Sequence, residues 1–176
     1  MNILVCVKQV PKTNKVEVDP VTGVLKREGV DSKMNPYDLY ALETAFRLRE
    51  QVGGQVTVIT MGPPQAAEVI REAGVLVSDR RFAGADVLAT SYTLSQAARK
   101  TGSFDLILCG KQTTDGDTAQ VGCEISEYLG IPSAANITKI IGVGADFITV
   151  EMDMPSTVEV AEISFPCLLC VDKGIY

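Results

Sequence analysis

The sequence contains no histidine and no tryptophan among its 176 residues. Histidine is the commonest general base and a frequent zinc ligand, so its absence excludes a Ser-His-Asp triad, a Cys-His dyad and the usual histidine-containing zinc sites. No apolar run approaches the ~20 residues that a helix needs to cross a bilayer, which argues against membrane insertion. The composition therefore favours a protein that binds or carries something over one that performs hydrolysis.

Positive charge is also scarce. Sixteen Lys and Arg residues stand against 22 Asp and Glu residues, a formal net charge of −6. A nucleic-acid binder needs clustered basic residues for the phosphates, so no nucleic acid is expected as a partner. With 46% hydrophobic and 22% charged residues, the chain is expected to form a single domain over 1–176 with its own core.

Cysteine is limited to five residues, an odd number, and most of them lie in apolar runs. A secreted disulfide framework is therefore not expected. The cysteines are expected to be buried, reduced thiols in a cytoplasmic protein. Cys167 and Cys170 have the CxxC spacing, but residues i and i+3 of a strand point to opposite faces, so these two sulfurs could not share one metal. Core packing is favoured over a redox or metal role. The five are Cys6, Cys109, Cys123, Cys167 and Cys170.

No GxGxxG follows the first predicted strand, and no GxxxxGK[ST] occurs anywhere, so the standard dinucleotide and P-loop motifs are missing. What is present over residues 1–130 is an alternation of strand and helix patterns, which predicts a parallel sheet covered by helices. The expected fold is α/β, a three-layer Rossmann-like sandwich with the parallel sheet of adenine-nucleotide hydrolases. Residues after 130 show strand patterns alone and predict an antiparallel C-terminal extension.

The predicted helices begin and end at recognisable signals, such as Asn35 as N-cap with Pro36 in the first turn. Leu39, Leu42, Ala45 and Phe46 are expected to form the apolar face of that helix, with Asp38 off it; Val87, Leu88, Tyr92, Leu94 and Ala97 are the buried candidates of a later helix. Predicted helices are Pro36–Gln51, Gln65–Ala73, Ala85–Thr101 and Thr118–Leu129. Predicted strands are Ile3–Val7, a hairpin over Val16–Arg27, Gln55–Met61, Gly74–Val77, Phe104–Leu108, Asn136–Gly142, Phe147–Met152, Val158–Ile163 and Cys167–Val171.

A Gly-rich acidic loop, Gly110–Asp117, is the most unusual segment. One interpretation is a solvated strand-to-helix loop with Asp117 or Thr118 as N-cap. The other is a phosphate seat, in which glycines let the backbone approach a ligand and the amides at the start of the next helix face an anion. Asp115 and Asp117 would repel a bare polyphosphate and better serve hydroxyls, a cation or a cap. A magnesium site there is less favoured, because no third ligand is evident.

Six segments, in order along essentially the whole chain, resemble a known family: ILVCVKQVP, VEVDPVTGVLKREGV, KMNPYDLYALE, VITMGPPQA, SDRRFAGADVLATS and LCGKQTTDGDTAQVG. Together they resemble the β subunits of the electron transfer flavoproteins. MNPYDLYALE with DGDTAQVG is more similar to versions from anaerobes, associated with flavin-based electron bifurcation, than to mitochondrial ones. The resemblance implies a heterodimer with an α subunit that holds most of one FAD.

The resemblance also implies an adenine nucleotide bound by this subunit, AMP in ordinary members and a second FAD in bifurcating ones. In the family, most contacts to the nucleotide come from backbone groups. These lie at the end of the first strand, in the MNP segment, at the Gly-Pro-Pro turn after a later strand and in the Gly-rich loop. Residues 117–121 would bind the phosphates. No residue is expected to be catalytic or to hold a metal. The implied cofactor-binding residues are Cys6, Lys8, Gln9, Asn35, Pro36, Met61, Gly110, Lys111, Gln112, Thr113, Thr114, Asp115, Gly116, Asp117, Thr118, Ala119, Gln120 and Val121.

The function implied is electron carriage between an acyl-CoA dehydrogenase-type or other flavin dehydrogenase and further redox partners, in the cytoplasm. In a bifurcating version, the FAD of this subunit accepts a hydride from NADH and sends one electron to the α-subunit FAD and one to a low-potential acceptor such as ferredoxin. In a conventional version, AMP is structural. Two alternatives are a stand-alone nucleotide-binding regulator of the universal-stress type and an ATP-using ligase or pyrophosphatase. The first normally shows a glycine-rich phosphate loop, which is missing here. The second usually begins with a Ser/Gly-rich loop after the first strand, where this chain has KQVPKTNK.

The chain departs from the family pattern in two places. About eight residues of a Met-Gly-Ala-Asp-like stretch are missing after Ala73, so the connection to the strand at Gly74 is shorter than the usual two to six residues. In the family, a Glu-Pro-Arg-containing C-terminal arm is expected after Tyr176, and it lies outside these 176 residues. No residues that dock a dehydrogenase can therefore be carried over from the family.

Overall fold

The computed structural model describes residues 1–12, 31–70 and 74–175. Within these ranges, an eight-stranded sheet has the strand order β5-β4-β1-β6-β10-β7-β8-β9, and β2 and β3 form a separate antiparallel ribbon. The strands are β1 Asn2–Cys6, β2 Gln9–Pro11, β3 Ser32–Met34, β4 Gln55–Met61, β5 Gly74–Val77, β6 Leu106–Gly110, β7 Ser133–Val143, β8 Phe147–Asp153, β9 Val158–Ser164 and β10 Cys167–Val171. The helices are α1 Pro36–Val52, α2 Val87–Thr101 and α3 Val121–Leu129, and 3₁₀ turns cover Pro64–Ile70 and Arg80–Phe82.

Helices cover both faces of the sheet, which confirms the predicted three-layer α/β fold. Alternate residues of β1 enter different cores: Ile3 and Val5 pack on the side of α1, and Leu4 packs on the side of α2 and α3. This two-sided burial explains why the parallel strands have continuous apolar sequences. None of the helices in the described ranges is long and apolar enough to span a membrane.

The last strand corrects the expected antiparallel extension. Only β7, β8 and β9 form an antiparallel meander, whereas β10 returns to the centre of the sheet and pairs in parallel with β6 and β7. All five residues of β10 are buried. Its unbroken apolar sequence, CLLCV, is typical of a central parallel strand. As predicted, Cys167 and Cys170 lie on opposite faces of the sheet.

Two predicted helices are also corrected, and one predicted element is not described. The segment after Pro64 is a 3₁₀ turn that ends at Ile70 within the described residues, and 71–73 lie outside them. The last helix begins at Val121 and not at Thr118, because the backbone of residues 117 and 119 is left-handed. The predicted hairpin over 16–27 lies outside the described residues.

The predicted apolar faces of α1 and α2 are partly wrong. Leu39 and Phe46 of α1 are 53% and 39% exposed, and Leu88 and Tyr92 of α2 are 60% and 53% exposed. The Tyr92 ring keeps an edge-on contact with Tyr128 of α3, at 5.4 Å between centroids. Ala45 is buried as predicted, but the other residues on the buried face of α1 are Asp38, Ala41, Thr44 and Leu48. Small and hydrogen-bonded polar residues on this face let α1 lie close against the sheet.

Close packing at the start of α3 gives a first prediction. A Cβ added at Gly122 would overlap Cys170 Sγ in the neighbouring strand, whereas one added at Gly142 would meet nothing within 4 Å. Gly122→Ala should therefore lower the free energy of unfolding by about 1–3 kcal/mol through overpacking, as measured by urea denaturation. Gly142→Ala is the matched control and should change it little. Equal effects of the two substitutions would contradict this packing.

Candidate functional site

The candidate site lies where the chain order reverses in the sheet. β1 pairs in parallel with β4 on one side and with β6 on the other. The chain leaves β1 towards α1 and leaves β6 towards α3, and these two helices cover opposite faces of the sheet. In an open parallel sheet, the region between two such connections, at the carboxyl ends of the strands, is the usual ligand position. We call this region the crevice.

A buried carboxyl group joins the segments around this crevice. Asp38 of α1 is 4% exposed. Its Oδ2 accepts a hydrogen bond from the Lys8 amide at 2.7 Å, its Oδ1 accepts one from Asn35 Nδ2 at 2.9 Å, and the Gly110 amide donates to the same carboxyl group. A Cβ at Gly110 would overlap Asp38 Oδ1, so this position requires glycine. We call Asp38, Asn35, Lys8 and Gly110 the Asp38 cluster.

Asn35 has a different role from the predicted one. It occupies the N-cap position before Pro36, but its side chain makes no capping hydrogen bond. Its Nδ2 also donates to the Gln112 carbonyl at 2.8 Å, and its Oδ1 accepts from the Thr114 amide at 3.2 Å. Because this side chain is completely buried, Asn35 fixes the path of the Gly-rich loop against the start of α1.

Lysine side chains neutralise two acidic groups beside the loop. Lys8 Nζ lies 2.7 Å from Asp115 Oδ1, and the Asp115 side chain is only 8% exposed. Lys111 Nζ lies 2.7 Å from Asp172 Oδ2, beyond the end of β10. The Lys111 ammonium lowers the pKa of Asp172 against the opposing effect of burial, which is the largest single influence on it. Asp115 is thus paired with a cation, which reduces its expected repulsion of an anionic ligand.

The backbone before α3 is strained and the helix start is uncapped. Asp117 and Ala119 have φ angles of 54° and 55°, which non-glycine residues rarely adopt. The Asp117 carboxylate accepts a hydrogen bond from Gln112 Nε2, and the N-cap residue Gln120 makes no side-chain cap. The interpretation of Asp117 or Thr118 as the N-cap of α3 is therefore wrong. The first amides of α3 lack a side-chain acceptor, as expected at an anion seat.

The structure brings most of the predicted site residues together. Lys8 and Asn35 bond to residues 112, 114 and 115 of the Gly-rich loop, Pro36 follows Asn35 as the first residue of α1, and Cys6 lies at the end of β1, paired with Cys109 of β6. Met61 is the last residue of β4, the strand directly beside β1. Gln9 is part of the β2–β3 ribbon, where its Nε2 donates to Ser32 Oγ of β3 at 2.6 Å. Whether these residues bind a cofactor stays a prediction.

Two residues of this region were missed by sequence reasoning. Asp172 pairs with Lys111 only because β10 lies beside β6, so no local pattern indicates it. Asp38 was expected off the buried face of α1, yet it is buried. The available signal was its place in the first turn after Asn-Pro, where an acid is favoured by the helix dipole. Among the described residues, no group of three or more Cys, Asp or Glu is arranged to hold a metal ion, so the magnesium interpretation gains no support.

Known proteins with similar sequences decide the family. The sequence pattern of the electron transfer flavoprotein domain matches residues 22–176. The chain belongs to the electron transfer flavoprotein family. It is 49% identical to the electron transfer flavoprotein subunit beta of Thermoanaerobacterium thermosaccharolyticum, over 99% of this chain and 69% of that protein. It is 46% identical to protein FixA of Azorhizobium caulinodans, over 96% of this chain and 65% of that protein.

A third relative adds a named complex. Subunit CarD of the caffeyl-CoA reductase-Etf complex of Acetobacterium woodii is 47% identical over 98% of this chain and 69% of its own length. The expected resemblance to electron transfer flavoprotein β subunits is thereby confirmed, and the universal-stress alternative is not favoured. The chain spans about two thirds of the length of these relatives. The alignments run to 182 positions against 176 residues here, so the relatives contain residues without a counterpart in this chain.

The buried Asp38 carboxyl group gives a second prediction, on pH. Burial raises the pKa of Asp38 from 3.8 to about 7, although the hydrogen bonds from Asn35 and from the backbone lower it. Between these values the folded state holds a proton that the unfolded state has lost. The stability that Asp38 contributes is therefore complete below pH 3.8 and is lost as the pH rises to about 7.

The variant Asp38→Asn isolates this contribution, because it keeps the shape and cannot ionise. The unfolding free energy of the wild type minus that of Asp38→Asn should fall from pH 4 to pH 7, by at most about 1.4 kcal/mol per pH unit. Above pH 7 the difference should become level. Urea denaturation of both proteins over this pH range measures it, and a difference that is constant or rises with pH would refute the prediction.

Proposed function

We propose that this chain is the β-type subunit of an electron transfer flavoprotein and binds an adenine nucleotide, FAD or AMP, in the crevice at the ends of β1 and β6. The observation that carries the proposal is the uncapped start of α3, which follows the Gly-rich loop that Asn35 and Lys8 hold beside the end of β1. The left-handed backbone at Asp117 and Ala119 also supports it, because such conformations concentrate at ligand sites. Backbone amides are the expected ligands, which suits a chain without histidine.

The residues present fit such a nucleotide. Amides at the start of α3 would take the phosphates, with the helix dipole favouring negative charge there. Asn35 and Asp38 hold residues 110–114 in place and so orient the loop rather than contact the reacting atoms. A flavin, when bound, supplies the electron chemistry, and the protein supplies binding, orientation and electrostatics. No side chain needs to act as an acid or base for outer-sphere electron transfer.

The partners proposed are an α subunit of the same family and a flavin-dependent dehydrogenase or reductase. The CarD relative belongs to a caffeyl-CoA reductase-Etf complex, which supports a reductase that acts on an acyl-CoA thioester. With FAD in this subunit, NADH would be the electron donor and ferredoxin the low-potential acceptor; with AMP, electrons would pass only through the α-subunit flavin. A cytoplasmic location remains part of this proposal.

Composition of the purified complex tests the function. The chain is co-expressed with the α subunit of the same family from its own organism, and flavin and AMP are counted per purified complex. Two FAD support the bifurcating version, and one FAD with one AMP supports the conventional carrier. A complex without AMP that holds its one flavin in the α subunit alone would contradict a nucleotide site in this chain.

A charge added at the start of α3 tests the site. Gln120→Asp places an acid where the helix dipole favours it, so folding should be preserved while the negative charge competes with phosphate. The nucleotide content of the β subunit is expected to fall about tenfold or more, the equivalent of about 1.4 kcal/mol. The matched control Ser103→Asp adds the same charge before β6, at the opposite edge of the sheet, and should retain the nucleotide. Equal retention by both variants would argue against the phosphate seat.

A further inference from the structure

Three cysteines form a row across the centre of the sheet. Cys6, Cys109 and Cys170 occupy paired positions on the adjacent parallel strands β1, β6 and β10. Paired residues of adjacent strands point to the same face, here the one covered by α2 and α3, and Cys109 and Cys170 are almost completely buried in its core. The electron-carrier function assigns no role to these thiols.

A fourth cysteine meets this row from the helix above it. Cys123 lies in the first turn of α3, directly after Gly122, whose missing side chain lets the helix start approach Cys170 closely. Cys123 packs against the core cluster that contains Cys170, and the two thiols share a hydrogen bond. Cys123 is partly exposed to solvent, whereas Cys170 is 4% exposed. A partly exposed cysteine therefore lies beside a buried one.

The two sulfurs differ in chemical character. The hydrogen bond from Cys170 lowers the pKa of Cys123 to about 6, with smaller help from Ser133, whereas burial and the nearby Glu127 oppose this effect. Cys170 keeps its proton, because its pKa is raised by the same hydrogen bond and by burial. A thiolate on a partly exposed cysteine, next to a protonated thiol, is the arrangement of a peroxide-sensitive cysteine with its resolving partner.

We propose that Cys123 and Cys170 form a reversible disulfide when the protein meets a hydroperoxide. The Cys123 thiolate attacks the distal oxygen of the peroxide, whose O–O bond breaks, so sulfur becomes a sulfenic acid and the peroxide leaves as an alcohol or as water after protonation. The Cys170 sulfur then attacks the Cys123 sulfur. An S–S bond forms, the S–O bond breaks, and hydroxide leaves with the Cys170 proton as water. A dithiol reductant returns the two electrons and restores both thiols.

The disulfide would act on the proposed phosphate seat. Val121, Gly122 and Cys123 are the first residues of α3, and a covalent bond brings sulfur atoms from hydrogen-bonding distance to ~2.05 Å. The first turn of α3 must then move towards β10, which displaces its amides. This consequence rests on the proposed function, whereas formation of the disulfide does not.

Mass spectrometry of the whole complex with its α subunit tests the thiol chemistry. The reduced complex is treated with hydrogen peroxide and digested without reduction. A peptide pair joined through Cys123 and Cys170, lost again after treatment with dithiothreitol, is the expected result. Its absence at peroxide levels that oxidise other thiols of the chain would overturn the proposal, as would a predominant Cys6–Cys109 pair.

Serine variants separate the two steps. Cys170→Ser should leave Cys123 as a sulfenic acid that dimedone traps, and Cys123→Ser should reduce disulfide formation at Cys170 at least tenfold. Cys167→Ser is the matched control, because Cys167 lies on the other face of the sheet and burial raises its pKa to about 12. It should leave the disulfide unchanged. Loss of the disulfide in Cys167→Ser, or its persistence at Cys170 in Cys123→Ser, would contradict the assignment.

The rate of nucleotide release from this subunit tests whether the disulfide acts on the proposed phosphate seat at the start of α3. The oxidised complex should lose its β-bound nucleotide several-fold faster than the reduced one, and reduction should restore slow release. An oxidised complex that contains the disulfide but releases nucleotide at the reduced rate overturns the coupling. A reduced complex without any β-bound nucleotide contradicts the proposed function instead, so the two failures are distinguishable.

Discussion

One buried carboxyl group, that of Asp38, is the constraint on which the carboxyl edge of the sheet depends. A buried polar group destabilises a fold unless its hydrogen bonds are made. The donors to Asp38 come from Lys8 after β1, Asn35 before α1 and Gly110 at the end of β6. Because all three must reach one carboxyl group, they hold two strand ends and a helix start in one arrangement. Glycine at position 110 is part of the same constraint, since any side chain would occupy the space of the carboxylate.

This arrangement makes a binding site out of backbone rather than side chains. Asn35 continues from Asp38 into the Gly-rich loop, where it bonds to residues 112 and 114, and Lys8 pairs with Asp115 across the crevice. With these groups fixed, the chain can sustain left-handed conformations at Asp117 and Ala119 that are unfavourable in isolation. The start of α3 is left without a side-chain cap. A subunit that orients a redox cofactor through amides needs no histidine, and a low-pKa thiol beside the same helix start connects the site to oxidants.

Sequence reasoning predicted the layers of the fold better than the direction of individual strands or the residues that each helix buries. The central strands were evident from their apolar runs, and α1 from Asn35-Pro36. It was wrong about β10, because an apolar run does not say which neighbours the strand will have. It was also wrong about Leu39 and Leu88, which periodicity placed in the core. The helices bury small and polar residues instead, because close approach to the sheet and the hydrogen bonds of Asp38 outweigh the local hydrophobic pattern.

By itself, the sequence determined the α/β alternation, the family resemblance and the loop that forms the candidate site, because strand runs, helix start signals and motifs are local properties of the chain. Only the tertiary structure decided that Asn35 holds a loop instead of capping α1, that Asp38 is buried, and that Cys123 meets Cys170. Each of these depends on contacts between residues 30 to 79 positions apart or between a helix and a strand. Such contacts follow from the order of the strands in the sheet, which no local pattern encodes.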